Sequence, residues 1–303
     1  MKIVAVVPAH NEERFIGSVV LQARQHADVV LVVDDGSTDA TAEIAAAAGA
    51  TVIRHERNQG KAAAFNSGFA AARELSADVV VVLDADGQHQ AREIPLVIAP
   101  VLTGEADMVV GSRFLQTNGS IPPWRSAGMR VLTTLTNLGS RLPLSDSQTG
   151  FRAFSRQALQ GLDFQSQGFS VESEMQFQAQ QLGLKTVEVP ISVTYAEGSK
   201  RNPVVHGMQV VNGILRLVGQ HRPLLFFGGP GLVMLLSGLL WGYWVVDIYR
   251  RTQQLALGYA LLAALLCIVG SVALSTGVIL HSLRGLLLEL LGRKNGNGPP
   301  RAP

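Results

Sequence analysis

The chain has 303 residues, 47% of them hydrophobic and only 16% charged, with a formal net charge of +2. That length allows more than one domain, and so weak a positive balance gives no footprint for nucleic acid. A single cysteine, Cys267, excludes an intrachain disulfide and lies in an apolar run where it is expected to be inert.

The N-terminus, "MKIVAVVPAHNEE", lacks the apolar stretch and cleavage site of a signal peptide, so the chain is expected to begin with a strand in the cytoplasm. Residues 1 to about 205 alternate β-rich runs with alanine-rich stretches. The expected strands are "KIVAVVPA", "DVVLVVDD", "TVIRHE", "DVVVVLDAD" and "ADMVVGSR". Helices are expected over 12–26, 39–48, 60–75 and 91–102. Thr38 or Asp39 marks the start of the second, and Ala48-Gly49 its stop. Alternation of this kind predicts an α/β fold, a mostly parallel sheet with helices on both faces, and the unbroken valine runs fit strands buried on both sides.

Residues 206–222 read as an amphipathic helix suited to a bilayer surface. Val210, Val211, Ile214, Leu215 and Val218 share one face, and Gln209, Asn212, Arg216 and Gln220 the other. Two uncharged runs follow, 223–246 and 255–280, each long enough to cross a hydrocarbon core. Trp241, Tyr243 and Trp244 cluster as an aromatic belt would. The short link "DIYRRTQQ" makes the pair a hairpin within 223–282. Basic residues flank it on both sides (Lys200, Arg201, Arg216 and Arg222; Arg284, Arg293 and Lys294), against Arg250 and Arg251 in the link. That asymmetry predicts an integral membrane protein with residues 1–205 and the tail, 283–303, in the cytoplasm. The tail is expected to be partly disordered.

In a parallel α/β sheet, ligands bind beyond the carboxyl ends of the strands. The polar motifs fall there: "PAHNEE", "DDGSTD", "DADGQH" and "GSRF". Any one alone is ordinary turn chemistry, but four at one edge point to a single site. Asp84 and Asp86, with Gln88, offer oxygen ligands around a turn, which suits Mg²⁺ or Mn²⁺ rather than zinc. Mg²⁺ is commonly held by one or two carboxylates plus substrate phosphates, so this reading implies a diphosphate ligand. Lys61 in "NQGKAAAFNSG" is a candidate phosphate or base contact. His10, His55 and His206 lack zinc-type spacing and read as structural or surface residues. His89 is positioned to support the metal motif from behind.

The series "VVPAHNE", "VVDDGSTD", "NQGKAAAFNSG", "LDADGQH", "GSRF" and "DSQTGFRAF" resembles the family 2 inverting glycosyltransferases. More narrowly, it resembles polyprenyl-phosphate sugar synthases of the dolichol-phosphate mannose synthase type. "EVPISVTYAEGSKRNP" followed by two apolar runs fits the same subgroup. The resemblance covers roughly the first 220 residues and implies the GT-A nucleotide-sugar fold. It implies a nucleotide-sugar site at Pro8, Ala9, Asn11, Glu12, Asp34, Asp35, Lys61, Asp84 and Asp86, with Asp34 and Asp35 against the nucleoside. It implies metal ligation by Asp84, Asp86 and Gln88. Asp86, Arg113 and Arg125 would be catalytic, and Arg113, Arg125, Arg130 and Arg201 would meet the lipid phosphate.

The implied activity is transfer of a monosaccharide from a nucleoside-diphosphate sugar, GDP-mannose or UDP-glucose foremost, to a polyprenyl phosphate at the bilayer. Two alternatives stand beside it. One is a family 2 transferase acting on a lipid or glycan hydroxyl, with Glu174 as base; Glu172 and Glu174 read otherwise as acidic residues favouring a helix N-terminus. The other is a non-catalytic membrane scaffold, which would have lost the metal carboxylates or arginines that this chain keeps. A processive polysaccharide synthase fits less well: the chain has two apolar runs and no Gln-X-X-Arg-Trp motif.

Overall fold

The computed structural model describes residues 1–115, 123–165, 171–194 and 222–294, without the side chains of 123–125 and 287–294. The chain divides into two units, Met1–Leu215 and Arg216–Pro303. The expected interfacial helix, 206–222, lies outside the described residues apart from Arg222.

In the first unit β1 (Ile3–Ala9), β2 (Val29–Asp34), β3 (Thr51–Arg54), β4 (Val79–Val82), β5 (Met108–Ser112), β6 (Arg152–Ser155) and β7 (Thr186–Pro190) form one sheet. The spatial order is β3-β2-β1-β4-β6-β5-β7. All pairings are parallel except those of β6, which runs antiparallel between β4 and β5. The mostly parallel sheet is as the sequence predicts. β6 and β7 add to the five expected strands; "RAFS" and "TVEVP" are too short and too polar to stand out by pattern.

The helices are α1 (Ile16–Ala23), α2 (Thr41–Ala47), α3 (Lys61–Glu74), α4 (Ile94–Leu102), α5 (Pro123–Ser140), α6 (Arg156–Gly161) and α7 (Val171–Gln181). The first four fall within the expected stretches. Asp39 does act at the start of α2, where its carboxylate accepts from the Thr41 amide and hydroxyl. Gly49, at φ +91°, ends it.

Successive strand residues enter different cores. Ala5, Val7, Val30, Val32, Val79 and Val81 pack with α1 and α4, while Val4, Val6, Leu31, Val33, Val80 and Val82 pack with α3, α6 and α7. All four β4 valines are fully buried, each worth roughly 1.5–3 kcal/mol relative to exposure. The sheet is therefore a rigid, two-sided platform, and its carboxyl edge is where the polar loops collect.

The second unit holds two helices long and apolar enough to cross a membrane. Leu224–Thr252 has mean hydropathy 1.9 over its best window, and Leu257–Leu286 has 2.4. The first opens on a π-helical turn, Leu224–Gly228, and continues through the expected link to Thr252. Asp247 and Arg251 pair one turn apart at 2.8 Å, which lets charged residues remain helical there. The second helix runs on to Lys294, so part of the expected tail is helical. Glycines let the two backbones touch. A Cβ added at Gly231 would lie 2.5 Å from the Leu274 nitrogen, and one at Gly270 the same distance from the Leu235 nitrogen.

Candidate active site

Loops from β1, β2, β4 and β5 meet at the carboxyl edge, joined by the loop entering β6. Because β6 is antiparallel, its N-terminal end, rather than its C-terminal end, lies at this edge. Residues 144–151 therefore join the site.

The first two loops are tied to each other. Pro8 and Ala9 are in β1, paired in register with Val33 and Asp34. Asn11, at φ +56°, donates its amide to Ser37 Oγ and accepts from the Thr38 amide. The Glu12 amide donates to Thr41 Oγ1. Asp34 and Asp35 are both buried. Asp34 accepts from the Ser37 amide and pairs with Arg54 at 3.2 Å. Asp35 accepts from the Gln59 and Gly60 amides and meets His55 Nδ1 at 2.8 Å. The two carboxylates expected against a nucleoside thus brace the loops after β2 and β3, and His55 is a structural residue here.

Lys61 opens α3 directly after Gly60, whose φ of +94° turns the chain into the helix. Its ammonium lies 2.7 Å from Asp84 Oδ1 and 2.6 Å from Glu172 Oε1. Burial opposes that charge, but Asp84 and then Glu172 outweigh it and hold the Lys61 pKa above the ordinary lysine range. Asp84 also suffers from burial, yet Lys61 and His89 keep its carboxyl far below the usual value. His89 is buried, with Nε2 3.4 Å from the second Asp84 oxygen and its ring tilted against Phe151. Asp86 differs. Burial, and then the Asp84 charge, push its carboxyl up.

Asp86 accepts from the Gln88 amide at 3.0 Å, and the Gln88 carbonyl accepts from Thr194 beyond β7. The turn is thereby pinned at both ends. Among the described residues no three His, Cys, Asp or Glu side chains form a ready metal cage. The donor set still fits Mg²⁺ or Mn²⁺. Two hard carboxylates stand together, and burial and then the Asp84 charge raise the Asp86 pKa. Such ions complete their shell with water and phosphate oxygens.

Gly150, just before β6, lies against the Asp84 carboxylate. A Cβ there would lie 2.7 Å from Asp84 Oδ1 and closer still to Oδ2. Gly150→Ala is expected to turn the Asp84 carboxylate aside and to weaken Mn²⁺ binding roughly tenfold or more. A titration of the variant within twofold of the parent would refute this.

On the other side of the edge, Arg113 clamps Asp146 with Nε at 2.6 Å and Nη2 at 2.8 Å. Asp146 is fully buried. Glu188 of β7 accepts from the Ser145 and Asp146 amides, which fixes the loop. Arg113, expected at a phosphate, is thus built into a bidentate ion pair at the site's wall. Arg130 is exposed on α5, its guanidinium 5.5 Å from the Phe114 ring centre, next to Arg113. Arg125 lies in the first turn of α5, but its side chain is outside the described residues, as is all of Arg201.

Four participants carry no role in the sequence reading. Asp146 and Gly150 lie in the quoted "DSQTGFRAF", whose position at the edge depends on the reversed strand. Glu188 sits in the unexpected β7. Arg152 is fully buried beneath the site and donates to the Ser147 and Thr149 carbonyls. Burial pulls its pKa down to about 10, opposed by Glu172, Asp146, Glu188 and Asp84. The acidic pair of α7 divides in two. Glu172 reaches Lys61, while Glu174 accepts from the Gln165 amide and the Gln178 side chain.

Known proteins are similar to this chain in sequence and fold. The glycosyl transferase family 2 model matches residues 4–162. A UDP-N-acetylglucosamine–dolichyl-phosphate N-acetylglucosaminyltransferase of Methanococcus voltae is 34% identical, over 70% of this chain and 94% of the relative. An undecaprenyl-phosphate mannosyltransferase of Micrococcus luteus is 32% identical, over 70% and 92%. Among solved structures, glucosyl-3-phosphoglycerate synthase of Mycobacterium tuberculosis, bound to Mn²⁺, UDP-glucose and phosphoglyceric acid, superposes with TM-score 0.59. It is 28% identical, over 72% of this chain and 80% of that one. The carboxylate turn, the edge that carries it and these matches agree: the chain is a glycosyltransferase of family 2, related to the polyprenyl-phosphate sugar transferases.

Proposed function

We propose that the protein moves a monosaccharide from a nucleoside-diphosphate sugar to a polyprenyl phosphate, with inversion, using Mg²⁺ or Mn²⁺ held by Asp84 and Asp86. The observation that carries this is the Asp84–Asp86 turn at the carboxyl end of β4, in a chain whose relatives are named for polyprenyl-phosphate acceptors. Gln88 would complete the metal site from the same turn. The metal would offset charge on the leaving diphosphate. Asp34, Asp35, Asn11 and Glu12 would shape the nucleotide side, and Arg113, Arg125, Arg130 and Arg201 the lipid-phosphate side. An acceptor phosphate oxygen attacks the anomeric carbon as its bond to the diphosphate breaks. A phosphate monoester is already an anion at neutral pH, since its second pKa is near 6, so no general base is required. Catalysis then rests on positioning and electrostatics.

In this reading the two apolar helices hold the enzyme in the bilayer where its acceptor resides. Each described span of 29 or 30 residues is about 44 Å long at 1.5 Å per residue, enough for a core of about 30 Å. The excess of Lys and Arg outside the link supports a cytoplasmic catalytic domain and tail.

The direct test mixes membranes containing the protein with polyprenyl phosphate and a panel of labelled nucleotide sugars, with and without Mg²⁺ or Mn²⁺. Metal-dependent label in lipid is expected. No transfer from any donor overturns the proposal. Glu174→Gln addresses the hydroxyl-acceptor alternative. The amide oxygen of glutamine can still accept from Gln165, so the rate should remain within about tenfold, against the 10²–10⁴-fold loss of a true general base.

A further inference from the structure

Lys61 already sits where a cation is wanted. Its ammonium is within 2.7 Å of the half-buried Asp84 and within 2.6 Å of the buried Glu172. Its geometry is fixed from behind, since it is the first residue of α3 and its ammonium lies 5.6 Å from the Phe65 ring centre. Glu172 is itself buried and anchored in the first turn of α7. A divalent ion on Asp84 and the Lys61 ammonium would compete for one carboxylate. Lys61 must yield, but an ammonium stranded in a partly dehydrated site is strongly unfavourable. Glu172 removes that penalty, because it already holds the same ammonium on its far side.

We infer that Glu172 is a positioning residue acting through Lys61: it retains the Lys61 ammonium when a divalent cation takes Asp84, so that the two cations exchange without leaving a half-buried charge alone. The inference rests on the metal reading of Asp84 and Asp86. Nothing is made or broken covalently, and charge balances throughout. Before exchange Lys61 is shared between Asp84 and Glu172; afterwards it pairs with Glu172 while the metal faces Asp84 and Asp86. Without Glu172, Lys61 stays locked on Asp84 and excludes the metal. Without Lys61, Glu172 has nothing to retain.

The test is Mn²⁺ binding to the full-length protein in detergent, without nucleotide, followed by electron paramagnetic resonance of the free ion. Glu172→Gln should weaken Mn²⁺ binding by about 10–100-fold, the range for outer partners of metal ligands. In a Lys61→Gln background the same change should cost less than about twofold, near the additivity error of such cycles. An equal loss in both backgrounds, or none in either, overturns the inference. If Glu172→Gln fails to fold, Lys61→Gln alone decides: it must tighten Mn²⁺ binding, and unchanged or weaker binding refutes the exchange. Wild-type protein that takes up no Mn²⁺ overturns the metal reading and the exchange together. Wild-type uptake with a null cycle overturns the exchange only.

Discussion

Replacing Asp86 with alanine should lower sugar transfer by about 100-fold or more, the usual cost of removing a preorganised electrostatic contact, while the protein keeps its fold. The second half of that result separates a functional carboxylate from a structural one. Burial, and then the neighbouring Asp84 charge, raise the Asp86 pKa. The folded chain thus holds that proton more tightly than the unfolded chain. Stability from this group is fully present at acid pH and falls as pH rises through the raised value. At neutral pH, ionised Asp86 works against the fold. Asp86→Ala should therefore match or exceed the parent in thermal unfolding at pH 7, and the difference should vanish below about pH 4, where an ordinary carboxylate is also protonated. Mn²⁺ should stabilise the parent and not the variant. Transfer within tenfold of wild type, or a sharply lower melting temperature, would remove Asp86 from the proposed metal site.

Arg152→Met should behave in the opposite way, by destabilising the whole catalytic unit by about 3–5 kcal/mol. That is a large part of the roughly 5–15 kcal/mol that holds a typical domain together. Methionine nearly fills the space but leaves the Ser147 and Thr149 carbonyls without their donor. It also removes the cation that faces Glu172, Asp146, Glu188 and Asp84. Four acids around an apolar side chain would have to take up protons or water. With its pKa drawn down to about 10, Arg152 is still charged at neutral pH, so the compensation operates under ordinary conditions. Denaturant unfolding of the full chain in detergent measures the loss. A change below about 1 kcal/mol, the level of a routine substitution, would show that the acids are balanced by something else.

Much of this was legible in the residue order because the local signals agree. Unbroken valines mark strands buried on both faces, and the carboxylates that follow them mark the ligand edge. Asp84 and Asp86 stand out since two acids beside an apolar run need a partner. What escaped was long-range. Lys61 and Glu172 are 111 residues apart, and no periodicity forecasts that they share a proton-rich contact with Asp84. Asp34 and Asp35 show the limit of motif reading: their type and spacing were plain, but their burial and their bonds to backbone amides follow only from the packed loops. Arg113 likewise carries the expected charge at the expected edge, yet its pairing with Asp146 depends on the direction of β6. A four-residue strand bounded by a loop and a helix leaves no trace of its direction.

That reversed strand bears on how the chain is made as well as on what it does. β4 is complete at Val82, and its open side is covered by β6, which ends at Ser155. At synthesis rates of about 5–20 residues per second, the gap corresponds to roughly 4–15 s. Through that interval the growing chain carries an all-valine strand with an unpaired edge, a template on which another strand can add. The nascent protein is thus most exposed to mispairing after β4 has emerged and before the "RAFS" segment that covers its edge.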